Sequence, residues 1–144
     1  MIKTNGINHI VLTVLNLKVE HTFYEIVFDT HFKFQWNEKV NGGSFSLKNA
    51  GQYIFFVQRG GKEARSSDRF DHTRAGLDHF AFGVDDEKEL EKILTNVKKA
   101  WKVIDPKVKN GKTKGIEICE YAGFKYFCLR DPENIQVEFY MNHK

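Results

Sequence analysis

Between residues 7 and 14 the chain alternates: Ile10, Leu12 and Val14 fall on one side of an extended backbone and His9, Val11 and Thr13 on the other, which predicts a strand with two unlike faces. The period then lengthens. Residues 17–29 place Val19, Phe23, Ile26 and Val27 on one stripe, the spacing of an amphipathic helix. Three short strands are predicted next, near 32–36, 44–48 and 52–58. The same order returns in the second half. A strand near 77–84 precedes a helix over 86–101 that turns Leu90, Ile93, Leu94, Val97 and Trp101 inward, and strands follow near 115–121, 124–130 and 134–141. Asp85 or Asp86 caps that helix, and Asp86, Glu87 and Glu89 suit its positive end.

The recurrence extends to the residues themselves. Gly6-Ile7-Asn8-His9-Ile10-Val11-Leu12-Thr13-Val14 returns seventy positions later as Gly76-Leu77-Asp78-His79-Phe80-Ala81-Phe82-Gly83-Val84. Residues 45–57 align without a gap to 127–139, an offset of 82, which pairs Phe56 with Glu138 and assigns an insertion of twelve to the second half, within 105–115. The chain therefore reads as an α+β protein of two tandem βαβββ modules, which the resemblance described below implies form a U-shaped mixed sheet around a cavity. Module one spans about 6–58 and module two about 76–142, and the polar residues 59–75 form a linker, so that 1–144 is one pseudo-symmetric domain.

Composition narrows the setting. Forty-one per cent apolar and 14% aromatic residues in 144 exclude a disordered chain. The longest apolar run is far short of the ~20 residues that cross a bilayer, and no signal peptide is evident, so a cytoplasmic protein without a membrane partner is expected. A net charge of +3 is too small to argue for a nucleic-acid partner. Two cysteines, Cys119 and Cys128, make no disulfide framework and read as reduced thiols.

Three residues stand out chemically. His9 and His79 hold the same place in the two repeats, on the side of the opening strand that faces away from the helix, and Glu138 is a carboxylate between Val137 and Phe139 in the last strand. A carboxylate placed in such surroundings requires a partner. Two imidazoles and one carboxylate on a shared concave face form a set that holds one divalent ion (Fe, Mn, Zn or Ni) and leaves coordination positions open. Ala81 and Gly83 beside His79 leave volume above the site. The competing reading keeps each histidine as a hydrogen-bonded structural residue and pairs Glu138 with a Lys or Arg. His21, His31, His72 and His143 read as solvent-exposed, and Lys62, Arg65, Arg69 and Arg74 as a solvated loop.

The paired modules, the two opening strands, the helix segment Phe23-Tyr24-Glu25-Ile26-Val27-Phe28 and the ending Leu129-Arg130-Asp131-Pro132-Glu133-Asn134-Ile135-Gln136-Val137-Glu138-Phe139 resemble the vicinal oxygen chelate superfamily over essentially the whole chain. That group includes glyoxalase I, extradiol dioxygenases, fosfomycin-resistance thiol transferases, methylmalonyl-CoA epimerase and bleomycin-resistance proteins. The resemblance implies a divalent ion that chelates two adjacent substrate oxygens, metal ligands at His9, His79 and Glu138, Glu138 also as the catalytic carboxylate, and a homodimer in which either the two modules of one chain complete the site with each other or His9 of one chain joins His79 and Glu138 of another. Four-ligand members carry a Glu or Gln in the last strand of the first module, where the repeat alignment has Phe56, with Gln58 as the nearest substitute. Dioxygenase and transferase members place a Tyr near the position of Cys128, for which Tyr126 is the nearest substitute. Phe56, Gln58, Tyr126 and Cys128 are accordingly the expected substrate-side residues. The implied function is that of a metal-dependent lyase, isomerase, dioxygenase or thiol transferase acting on a small molecule, and the alternative is a metal-free sequestering protein of the bleomycin-resistance type.

Overall fold

The computed structural model describes residues 6–49, 51–59, 71, 73, 75–104 and 116–141. The elements run β1 (His9–Thr13), α1 (Leu17–Phe28), β2 (Phe34–Asn37), β3 (Gly42–Asn49), β4 (Gln52–Gln58), β5 (His79–Val84), α2 (Glu87–Val103), β6 (Cys119–Tyr121), β7 (Phe124–Arg130) and β8 (Gln136–Met141). This is the expected βαβββ order twice over, and β4 and β7 start and end where the sequence pattern puts them. The expected insertion at 105–115 and most of the linker lie outside the described residues.

Each module forms one four-stranded mixed sheet, in the orders β1-β4-β3-β2 and β5-β8-β7-β6. The opening strand lies parallel to the last one, His9 beside Tyr53 and His79 beside Gln136, while the remaining neighbours are antiparallel. A parallel pair needs a long crossover, and in each module the helix begins it. Local chemistry sets the helix ends. The Asn16 side chain accepts from the Val19 amide and that of Asp86 from the Glu89 amide, satisfying N–H groups that have no partner within the helix. Asp29 closes α1 in the left-handed region at φ 50°.

The two helices pack on each other in the space between the apolar faces of the sheets. Leu12, Val14, Phe45, Leu47 and Phe56 line that space from the first sheet, and Phe80, Phe82, Phe127, Leu129, Val137 and Phe139 from the second, all buried. Phe28 of α1 reaches across to Phe82 and Phe139, with ring centroids 5.0 and 5.9 Å away, and Phe23 meets Trp101 of α2 at 5.3 Å. These contacts make one core of both modules.

A polar tie crosses the same boundary. The Tyr24 hydroxyl donates to Asp131 Oδ2 at 2.9 Å, and the Asn16 amide donates to Glu133 Oε1 at 2.9 Å. Asp131 Oδ1 also accepts from the amides of Glu133 and Ile135, which shapes the turn between β7 and β8. Burial pushes the Asp131 carboxyl up to about 7, and burial with the neighbouring Asp131 and Glu20 charges holds the Tyr24 hydroxyl well above its ordinary value.

The folded chain thus keeps the Asp131 proton up to about 7, whereas the unfolded chain releases it near 3.8. Between those values the folded state binds more protons, so this group's contribution to stability falls as pH rises. Urea unfolding of the parent and Asp131→Asn across that interval is expected to show the parent losing ground to the variant with rising pH. A parent that gains ground instead contradicts the assignment.

Candidate functional site

The faces of the two sheets that point away from the helices carry the polar residues. β1 turns His9, Val11 and Thr13 outward, and β5 turns His79, Ala81 and Gly83 outward, all six exposed. The residue before each histidine fixes its ring. His9 Nδ1 donates to Asn8 Oδ1 at 3.0 Å, and His79 Nδ1 meets Asp78 Oδ1 at 2.5 Å. Holding the proton on Nδ1 leaves Nε2 with its lone pair free to bind a metal. Asn8-His9 and Asp78-His79 recur in the repeat, but the sequence pattern carries no sign of the contact within each pair.

Glu138 lies on the outer face of the second sheet between Ala81 of β5 and Cys128 of β7. Its Oε2 stands 3.7 Å from His79 Nε2, and its Oε1 accepts from the Gln136 side-chain Nε2 at 3.3 Å. Among the described residues the nitrogen group beside the Glu138 carboxylate is therefore the His79 ring, with no Lys or Arg in that role. Tyr126 and Cys128 share this face, with Tyr126 opposite Tyr140 one pair of residues farther along the hairpin. Burial and the Glu138 charge push the Cys128 thiol up, which disfavours the thiolate a nucleophile needs. Burial heads the causes that also raise the Tyr126 hydroxyl, with Cys119, Cys128, Glu138 and Tyr140 as contributing neighbours.

Two expectations are corrected by the register. Phe56 lies opposite Leu12 and Phe45, fully buried, with its ring 4.7 Å from those of Phe45 and Tyr24, so it belongs to the core and lines no outer cavity. Gln58 shares that inward parity. Its Oε1 accepts from the Leu17 amide at 2.9 Å at the start of α1, and its Nε2 donates to the Asn41 carbonyl at 3.4 Å, so it serves a helix end and does not rescue a fourth ligand. The reason is a one-residue difference between the hairpins. Phe45 faces Phe56 across β3 and β4, eleven positions on, while Phe127 faces Phe139 across β7 and β8, twelve positions on. The true counterpart of Glu138 is therefore Phe55, which lies opposite Val11 as Glu138 lies opposite Ala81. The Phe55 ring meets His9 edge-on at 5.8 Å.

Among the described residues of one chain, no three His, Cys, Asp or Glu side chains stand close enough to hold one ion. His79 and Glu138 are brought together, and His9 is not brought to them. Ala81 and Gly83 do border open space, a cleft of about 470 Å³ between the outer edge of β5 and the first module, walled also by Ile10, Tyr53 and Ile54. Neither His79 nor Glu138 lines it. No described helix is long and apolar enough to cross a membrane.

A family model, the Glyoxalase/Bleomycin resistance protein/Dioxygenase superfamily, matches residues 6–139. No protein of curated function matches the sequence. Solved structures agree in fold. A glyoxylase/bleomycin resistance protein/dioxygenase domain from Frankia sp. EAN1pec superposes with TM-score 0.70 at 22% identity, covering 98% of this chain and 100% of that one. The fosfomycin resistance protein FosX from Listeria monocytogenes, complexed with Mn(II) and sulfate, gives 0.60 at 15% identity, covering 98% and 95%. Lactoylglutathione lyase from Agrobacterium tumefaciens gives 0.60 at 19% identity, covering 97% and 96%.

The register is open to a direct check, because Phe55 and Phe56 are neighbours on opposite faces. Phe56→Ala is expected to cost about 3–5 kcal/mol as a large-to-small change in a packed core, and Phe55→Ala less than about 1.5 kcal/mol, in denaturant unfolding. Equal losses, or the reverse order, refute the assignment of faces.

Proposed function

Because the chain belongs to the glyoxalase/bleomycin resistance protein/dioxygenase superfamily, we propose that it is a divalent-metal-dependent enzyme for a small substrate carrying two adjacent oxygens, with His79 and Glu138 of one chain and His9 of a second copy as ligands. The observation that carries this reading is the pair His79 Nε2 and Glu138 Oε2, 3.7 Å apart on an exposed face, with the opposite ring nitrogen tied to Asp78. His9 repeats the arrangement through Asn8. The donor set fits a borderline ion with open positions, two neutral imidazoles and one carboxylate. When bound, such an ion supplies Lewis-acid polarisation of a substrate carbonyl or enediolate.

The chain's own residues then take definite roles. Asp78 and Asn8 hold the two rings in the ligating tautomer. Glu138 supplies the negative charge of the set and is the catalytic carboxylate nearest the reacting oxygens. Gln136 holds its second oxygen. Cys128, kept as a neutral thiol, is a packing neighbour of the substrate and not an attacking group.

A second copy is supported by the strand order. β1 and β5 are edge strands of their sheets, and the exposed apolar residues Ile7 and Val11 lie around His9. Open edges of this kind are normally covered or paired.

Purification without chelators, followed by metal analysis and sizing, tests the proposal. One divalent ion per chain in a dimer is expected, lost in His9→Ala, His79→Ala and Glu138→Gln. Mixing the His9→Ala and His79→Ala proteins is expected to regain sites, since each mixed dimer has one complete ligand set. No stoichiometric ion under any loading condition refutes metal dependence. Ion binding in isolated monomers refutes the shared site alone.

A further inference from the structure

On the helix side of the sheets the two modules do not close completely. A cavity of about 270 Å³ is left between them, walled by Phe28, Phe32 and Leu47 of the first module and by Phe82, Ile93 and Phe139 of the second. Leu47, Phe82 and Phe139 are buried, whereas Thr30 and Lys48, which also border the space, are exposed, so it runs from solvent into the core. Cores are close-packed and leave few voids larger than a water molecule, and a dry apolar space of ~150 Å³ already takes up benzene. The space here is wider than that. It shares Leu47 and Phe82 with the 470 Å³ cleft, but Ile93 and Phe139 border this cavity and not the cleft.

Its entrance wall is fixed in advance. Residues 30–32 lead from α1 to β2, and α1 side chains hold both backbone groups of Phe32: the amide donates to Glu25 Oε1 at 3.1 Å, and the carbonyl accepts from His21 Nε2 at 2.9 Å. The His31 ring reaches the same Glu25 oxygen at 3.2 Å. The Phe28 ring is set edge-on between Phe32 at 6.2 Å and Phe82 at 5.0 Å, which ties the entrance to the second module. A wall held this way has little freedom left to lose when a ligand enters.

The walls also restrict charge. Among the described residues bordering the cavity the charged one is Lys48, and its ammonium is turned away, 5.5 Å from the centre of the Tyr53 ring that neighbours it across β3 and β4. An ionised group inside would therefore be buried without a counter-charge. Thr30 offers a hydroxyl at the mouth. We infer that this cavity is a second ligand site, apart from the candidate metal site, for an uncharged, chiefly apolar molecule of up to about ten carbon atoms whose one polar group stays beside Thr30. The site stands independently of the function proposed above, because neither His79 nor Glu138 borders it: Phe139 faces the cavity from β8, and Glu138, the residue before it, faces the opposite side of the sheet.

Isoleucine methyl resonances report the site directly, because Ile93 borders the cavity while Ile7 and Ile54 border the neighbouring cleft instead. The full chain, in excess chelator and at about pH 8 where a carboxylic acid is ionised, is titrated with 1-heptanol, heptanoate and 1-propanol. A saturable shift of the Ile93 methyl with 1-heptanol is expected, with Kd of about 0.1–1 mM, while Ile7 and Ile54 stay in place. Heptanoate, which carries a charge, and 1-propanol, which buries fewer methylenes, are each expected to bind at least about tenfold more weakly. Thr30→Phe, which fills the mouth, is expected to weaken 1-heptanol at least about tenfold, and Glu25→Ala, which touches no ligand but releases Phe32, at least about threefold. An Ile93 methyl that does not move, or shifts confined to Ile7 and Ile54, overturns the site. Affinity for 1-heptanol that is unchanged in both folded variants overturns its entrance at Thr30 and Phe32, and heptanoate binding as tightly as 1-heptanol overturns the uncharged ligand class.

Discussion

Everything in this molecule turns on which way a strand residue points. The helices cover only one face of each sheet, so a shift of one position moves a side chain from the sealed interior to the exposed outer surface. The interior face is filled with phenylalanine, leucine and valine, and their burial fixes the register. Once Leu12, Phe56 and Phe45 are committed inward, His9, Val11 and Phe55 have no choice but the outside; once Phe82, Phe139 and Phe127 are committed, so are Ala81, Glu138 and Tyr126. The chemistry of the candidate site is thus placed by hydrophobic packing that lies on the other side of the same strands.

That constraint also explains what the sequence disclosed and what it hid. Strong alternation in 9–14 and 79–84, and a helical period in the segments that follow, disclosed the order of elements, because those patterns are local. The ungapped alignment of the repeats failed over one residue. The β7–β8 turn is one register step longer than the β3–β4 turn, since Asp131 gathers the amides of Glu133 and Ile135 and the hydroxyl of Tyr24 into it. Nothing in the strand pattern records a turn's length in register, so an ungapped alignment pairs Phe56 with Glu138 where Phe55 belongs. The Asn8-His9 and Asp78-His79 contacts were hidden for another reason: whether adjacent polar residues bond depends on rotamers, which periodicity does not carry.

The inter-module tie has a second consequence. α1 of the first module is bound through Tyr24 and Phe28 to the second module, at Asp131 and at Phe82 and Phe139. Two modules joined through helices and inner faces leave both outer faces turned to solvent. That geometry brings His79 to Glu138, which sit on neighbouring strands of one sheet, and leaves His9 on the other sheet. In the proposed site each fold thus carries two separate parts of a donor set, His79 with Glu138 on one sheet and His9 on the other.

Duplication gave both modules the same frame, and divergence of single outward positions then set their chemistry apart. At the position opposite the second residue after each histidine, the second module has the acid Glu138 and the first has Phe55. Two acids there would bring a second negative charge to a ligand set already holding one, whereas a phenyl ring removes that charge and excludes water. In the proposed site Glu138 is the one anionic donor, so a divalent ion retains a net positive charge toward the substrate, and the aromatic surfaces beside His9 and Glu138 lower the local dielectric in which that charge acts.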